Sequence, residues 1–216
     1  MNANTEKLIA EKKIICIVRG LYGEDCLGLA KALHEGGVDL MECTFDQFDE
    51  EDRKKTAETI SMLNEKLGDC MAFGAGTVTS PGMVKLAADA GAAFIVSPNT
   101  DAAVIKATKL LGLVSIPGAL TPTEIKFAFD CGADFIKVFP ANIMGVNYFK
   151  QVHAPLPQCR MLAVGGVSEK DAADYMAAGC SGVGVASCLF KKDWVKNGEW
   201  SRITEAARTL TAAMGV

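Results

Sequence analysis

The sequence predicts an α/β protein, a single (β/α)8 TIM barrel spanning residues 1–216. Two observations carry that expectation. Eight short runs rich in Val, Ile and other apolar residues read as strands buried on both faces. Eight stretches with helical periodicity alternate with them, and no long linker interrupts the alternation, the pattern of a parallel sheet rather than of separate layers. A third observation concerns an alternative. An open doubly wound sheet shares the alternation, but no Gly-x-Gly-x-x-Gly follows the first run, which speaks against its dinucleotide-binding form.

The expected strands cover 14–18, 38–43, 71–74, 93–96, 113–116, 134–138, 161–164 and 182–185. The expected helices cover 25–35, 50–67, 81–90, 101–110, 123–131, 147–152, 169–178 and 200–214. Ser80-Pro81, Thr121-Pro122 and Ser168-Glu169 read as helix starts, the first two with proline in the first turn. Gly36, Gly91, Gly112, Gly132 and Gly179 stand where helices end. The phrases Ala-Gly-Ala-Ala-Phe-Ile at 90–95 and Cys-Gly-Ala-Asp-Phe-Ile at 131–136 echo each other, as successive β/α units do.

Composition narrows the function. Half of the 216 residues are hydrophobic and the net charge is −4, with no basic run, so nucleic acid is not an expected partner. No apolar stretch approaches the roughly 18 residues of a membrane span. The start, Met1-Asn2-Ala3-Asn4-Thr5-Glu6-Lys7, lacks the apolar core of a signal peptide, so a cytoplasmic protein is expected. The eight cysteines show no CxxC spacing and fall largely in apolar runs, so reduced, buried thiols are expected. With only His34 and His153, far apart, neither a metal site nor a cofactor is expected.

In such barrels the chemistry collects where strands end and loops lead into the next helix. Four of those ends carry informative residues. Lys137 lies in Asp134-Phe135-Ile136-Lys137-Val138-Phe139-Pro140, where a charged amine is costly. A free lysine is neutral about once in 2,500 molecules at pH 7, and burial raises the share of nucleophilic amine. The same lysine also reads as one half of a structural ion pair. Glu42, in Leu40-Met41-Glu42-Cys43-Thr44, is a carboxylate in an equally apolar run. It reads as a proton shuttle or as the counter-ion of Arg19 or Lys137. Gly165-Gly166-Val167-Ser168 follows strand seven and leads into a helix, and Ser187 ends strand eight. That is where barrels often hold phosphate on backbone N–H groups, although turns need glycine too.

The ordered set resembles the 2-keto-3-deoxy-6-phosphogluconate aldolases, a family that includes 4-hydroxy-2-oxoglutarate aldolases. The resemblance runs from Ile14-Ile15-Cys16-Ile17-Val18-Arg19 to Ser187. It is most specific at Gly74-Ala75-Gly76-Thr77-Val78, Ser97-Pro98-Asn99, Ile116-Pro117-Gly118, Ile136-Lys137-Val138-Phe139-Pro140-Ala141 and Gly165-Gly166-Val167. It implies a class I aldolase, a lyase that uses no cofactor. Its substrate would be a small phosphorylated 2-keto acid, cleaved to pyruvate and glyceraldehyde 3-phosphate, or 4-hydroxy-2-oxoglutarate, cleaved to pyruvate and glyoxylate. Lys137 matches the Schiff-base lysine and Glu42 the general acid/base. Thr77 and Pro98 fall beside the substrate, Gly165, Gly166 and Ser187 on its phosphate, and a homotrimer is implied.

Two departures lie on the substrate side. Well-studied members hold the substrate carboxylate with an arginine after strand two, where this chain reads Thr44-Phe45-Asp46-Gln47; an Asp46 facing the substrate would repel it. Arg19 is the nearest replacement. Val164 stands where some members have a threonine. Two other classes share parts of the pattern. A phosphate-binding barrel isomerase would use Gly165-Gly166 without an amine in strand six, and a non-catalytic keto-acid or sugar-phosphate binding protein would use Lys137 only as an ion-pair partner.

Overall fold

The computed structural model describes residues 2–216, with side chains from Asn4 onward. The first half of the chain runs α1 (Asn2–Lys12), β1 (Ile14–Arg19), α2 (Gly23–Glu35), β2 (Leu40–Thr44), α3 (Glu50–Leu67), β3 (Ala72–Gly76), α4 (Pro81–Asp89), β4 (Phe94–Val96) and α5 (Ala102–Leu110). The second half runs β5 (Val114–Ile116), β6 (Gly118–Ala119), α6 (Pro122–Asp130), β7 (Ile136–Val138), α7 (Ala141–His153), β8 (Met161–Val164), α8 (Ala172–Ala177), β9 (Gly182–Val185), α9 (Lys192–Lys196) and α10 (Trp200–Met214).

The strands form one sheet in the order β5-β4-β3-β2-β1-β9-β8-β7-β6, and every pairing is parallel. Of the two ends of that order, β5 is the fifth strand expected at 113–116, and β6 is a short continuation that was not expected, set off from it by Pro117, which has no N–H to give to a ladder. Hydrogen bonds reach this strand and its continuation from both sides. Ser97 N donates to Ile116 O at 3.1 Å, while Phe135 N donates to Ser115 O at 3.2 Å and Lys137 N to Pro117 O at 2.9 Å. The sheet therefore closes as the expected barrel.

Strand parity sorts the side chains into two clusters. Odd and even positions of β1 divide between them. Ile14, Cys16 and Val18 pack outward against the helices. Ile15 faces the barrel interior with Leu40, Phe94, Val96, Val114, Ile116, Phe135, Leu162 and Val164. The helix starts at Ser80 and Thr121 form as expected. Ser80 Oγ accepts from Met83 N at 3.3 Å, and Thr121 with Glu124 makes a capping box. The described cysteines are all free; five are buried, Cys131 and Cys188 are partly covered, and Cys70 is exposed.

Four elements differ from expectation. Helix α1 has too few apolar residues to show a periodicity, yet its Ile9 is wholly buried among Ile15, Leu40 and Phe135, plugging the end of the barrel where the strands start. Short α9 was likewise not expected. The expected helix 147–152 is only the later part of α7, because Gly145, with φ 73°, puts a kink before it. The expected helix 169–178 starts late, at Ala172. Ser168 does not cap it; the Asp171 carboxylate instead accepts from Ser168 N at 2.7 Å and from its hydroxyl at 3.0 Å.

Candidate active site

At the opposite end of the barrel the interior turns polar. Glu42 is level with Ile17 and Gly74 across the sheet, and Thr44 is level with Arg19 and Gly76. Lys137 is level with Gly118 on one side and with the inward-facing Leu162 on the other. These registers aim Glu42, Thr44 and Lys137 into the same enclosed space, since neighbours level across a parallel sheet point to the same face.

That space opens into a cavity of about 300 Å³, and seven of the eight expected site residues line it: Arg19, Thr77, Pro98, Lys137, Gly165, Gly166 and Ser187. The eighth, Glu42, is only 2% exposed and is not among the residues that line the cavity. Somewhat larger grooves run along the outer helices, such as one of about 470 Å³ beside Arg53 and Met83, but surface side chains line them. Pro98 is held there by a close crossing. A Cβ on Gly118 would stand 2.3 Å from the Pro98 carbonyl oxygen, so glycine lets the two segments touch.

The Glu42 carboxylate occupies room that glycine leaves. A Cβ on Gly76 would stand 1.6 Å from its Oε1, an impossible contact. Thr44 Oγ1 donates to the same oxygen at 3.1 Å. Burial pushes the Glu42 carboxyl above the ordinary range. The Lys137 charge pulls it back most, followed by the Thr44 hydrogen bond and the Arg19 charge. The Lys137 ammonium lies 5.4 Å from the centre of the Phe139 ring, a cation–π approach at the cavity edge.

Arg19 Nη2 donates to Thr77 Oγ1 at 3.3 Å, and Gln47 Nε2 donates to Thr77 O at 2.7 Å. Between them they hold Thr77 in the left-handed region, at φ 56°, which costs a threonine of order 1–3 kcal/mol. On the far wall, Gly165 and Gly166 have φ of 98° and 73°, which only glycine adopts cheaply. Among the described residues, the N–H groups of Gly166, Val167 and Ser187 donate to no protein acceptor. They form a nest of unspent donors at the cavity rim. The expectation that a helix N-terminus backs this nest is corrected, because Asp171 takes the Ser168 N–H and α8 starts further on.

The model of a family described as "KDPG and KHG aldolase" matches residues 5–206. The chain belongs to that family. A probable 2-dehydro-3-deoxy-6-phosphogalactonate aldolase of Rhizobium meliloti is 37% identical, over 84% of this chain and 83% of the relative. A 2-dehydro-3-deoxy-phosphogluconate aldolase of Dickeya dadantii is 32% identical, over 97% and 95%. The solved structure of the Legionella pneumophila KDPG aldolase, with pyruvate captured as a covalent carbinolamine, superposes with a TM-score of 0.84 at 27% identity, covering 95% of this chain and 97% of that one.

In this aldolase the reading of Asp46 needs correction. Its carboxylate does not face the cavity; it turns back into its own loop, where it accepts from Phe48 N and Asp49 N at 2.8 Å each. Those two bonds hold its carboxyl below the ordinary range. Sequence reasoning gave no role to Thr44, Gly76 or Gln47. The signal for Thr44 was present, since a residue two positions after Glu42 in a strand shares its face. Gly76 and Gln47 act through contacts 30 or more residues away in sequence, which no local pattern reveals.

Proposed function

We propose that this aldolase, acting as one domain over residues 1–216, cleaves a 2-keto-3-deoxy-6-phospho sugar acid through a Schiff base on Lys137. The observation that carries the reading is a lysine amine facing into the barrel beside a buried carboxylate, next to a rim of free backbone donors. The Lys137 amine attacks the C2 carbonyl of the substrate to form a carbinolamine. Glu42 gives a proton to the departing hydroxyl, so that water leaves and an iminium remains. Glu42, working through a water, then takes the proton of the C4 hydroxyl. The C3–C4 bonding electrons move to the iminium nitrogen, and the aldehyde departs. The enamine left behind is protonated at C3 and hydrolysed, releasing pyruvate and the free amine.

Arg19 and Thr77 would meet the substrate carboxylate, with Pro98 as an apolar wall. Gly165, Gly166 and Ser187 would hold the phosphate. The relatives named for phosphogalactonate and for phosphogluconate make both C4 epimers the substrates to compare first, with 4-hydroxy-2-oxoglutarate third. No described helix is long and apolar enough to cross a membrane, and we read the enzyme as a cytoplasmic homotrimer. The exposed Leu110, Phe127 and Ile143 on the outer helices support an assembly, as does a solved relative described as a cage fused from symmetric oligomeric domains.

Intact mass after mixing with pyruvate and borohydride tests the mechanism. The parent should gain about 72 Da, the mass of a reduced pyruvate adduct on an amine. Lys137→Ala should gain nothing. A parent that is folded yet gains no mass would rule the Schiff base out.

A further inference from the structure

We propose that Thr44 is a positioning residue for the aldolase reaction, its hydroxyl holding the Glu42 carboxylate in the orientation from which protons pass to and from the Lys137 adduct. This deepens the reading of Glu42 as the acid/base and rests on it.

The argument starts in the sequence. In Glu42-Cys43-Thr44 the strand period of two puts the carboxylate and the hydroxyl on one face, and both face the barrel interior. The contact is 3.1 Å, with Thr44 4% exposed and Glu42 2% exposed. Among the described residues, that hydroxyl is the sole hydrogen-bond partner of the Glu42 side chain, and no cation stands within 4.0 Å of it. A buried carboxylate with one donor depends on it heavily. On the other side Gly76, level with Thr44, leaves the space in which Oε1 lies. The carboxylate therefore fills the room that Gly76 leaves, and one hydroxyl decides where within that room it rests.

The charges around this pair come from other strands and do not depend on Thr44. Lys137 of β7 and Arg19 of β1 are the cations that act on Glu42. The thiols of Cys16 and Cys43 also lie near, the first pushed up by burial and the second by its hydrogen bond with Cys26 and then by burial, and so both are neutral at working pH. Strand β3 brings nothing ionisable, only Ala72, Phe73, Gly74, Ala75 and Gly76. Removing the hydroxyl thus changes one hydrogen bond and leaves the surrounding charges in place.

Thr44→Val keeps the shape and deletes the donor, whereas Thr44→Ser keeps the donor and deletes a methyl. The measurement is kcat and kcat/KM against pH for the phosphorylated keto acid, alongside borohydride trapping of pyruvate. In Thr44→Val the acidic limb should move up by about one pH unit, with kcat down about tenfold and KM changed much less. Thr44→Ser should stay within about threefold of the parent, and the trapped adduct should still form in both. Should valine not fold, Thr44→Cys, with its weak donor, takes its place against serine. A parental pH profile in Thr44→Val, or equal losses in valine and serine, overturns the proposal in favour of simple packing. A parent that traps no pyruvate overturns it differently, by removing the Schiff-base chemistry that Glu42 is read to serve.

Discussion

The two ends of this barrel are built to opposite rules. At the end where strands begin, the interior is sealed by Ile9, Leu40, Phe94, Phe135 and Val114, none of them exposed. Its charges stay outside the plug: Arg160 lies over the Phe135 ring at 4.3 Å and pairs with Glu6 at 2.8 Å, and Lys12 pairs with Asp39 at 2.5 Å. At the end where strands finish, a carboxylate is buried, a threonine is held at φ 56°, and backbone donors go unspent. Burial of apolar surface at the first end offsets the desolvation and strain carried at the second. The division lets the polar end vary its chemistry without costing the fold.

The sharpest way to break that comparison is Glu42→Gln. Losing an acid/base group should lower kcat by about 10²–10⁴-fold. The fold should gain. The Glu42 pKa is raised by burial, so the folded state holds a proton that the unfolded chain, with a pKa near 4.3, has lost. Stability therefore falls as pH rises from about 4.3 through the raised folded value, and the penalty is fully present above it. Glutamine removes that penalty. Thermal melts should show the variant equal to or roughly 1–4 °C above the parent at pH 7, with the advantage shrinking toward pH 4. A variant that loses both activity and several degrees at pH 7 would mean that the carboxylate is a structural anchor.

Phe94→Ala makes the converse change at the sealed end. The ring is wholly buried and rests against Gly74, where a Cβ would stand 2.3 Å from it. Truncation should cost about 3–5 kcal/mol and lower the melting temperature on the order of 10 °C. Activity per folded molecule and pyruvate trapping at 25 °C should stay within about threefold. A fall in kcat comparable with that of Glu42→Gln would show the two ends to be coupled.

The same division explains what the sequence revealed. Strands and helices with regular periodicity were legible, as were Lys137 and Glu42, because a charge inside an apolar run stands out against its neighbours. Arg19, Thr77, Pro98, Gly165, Gly166 and Ser187 were placed by strand-end logic and by resemblance, and all six line the cavity. Helix α1 was not legible, because its contribution is essentially one side chain, Ile9, in a polar segment. The short β6 beyond Pro117 was invisible because it read as a loop. Asp46 misled because residue type indicates charge, whereas direction is set by the loop backbone, here by two N–H groups that turn the carboxylate inward to its own turn.

Asp46 also supplies the smallest of the expected effects. Backbone bonds from Asp49 and Phe48 hold its carboxyl below the ordinary range, with Arg53 and Arg19 adding to the effect. The folded pKa is thus lower than the unfolded value near 3.9, so whatever stability the group adds is present above that value and is lost as pH falls through the folded one. Asp46 lies at the surface and is only partly covered, so Asp46→Ala should lower the melting temperature by only about 1–2 °C at pH 7, with the gap to the parent closing below about pH 4. KM for the keto acid should not move by more than about twofold, because a carboxylate spent on its own turn does not meet the substrate carboxylate. A tenfold drop in KM would instead place the charge against the substrate. The rim loop would then belong to the polar end of the barrel in function as well as in position.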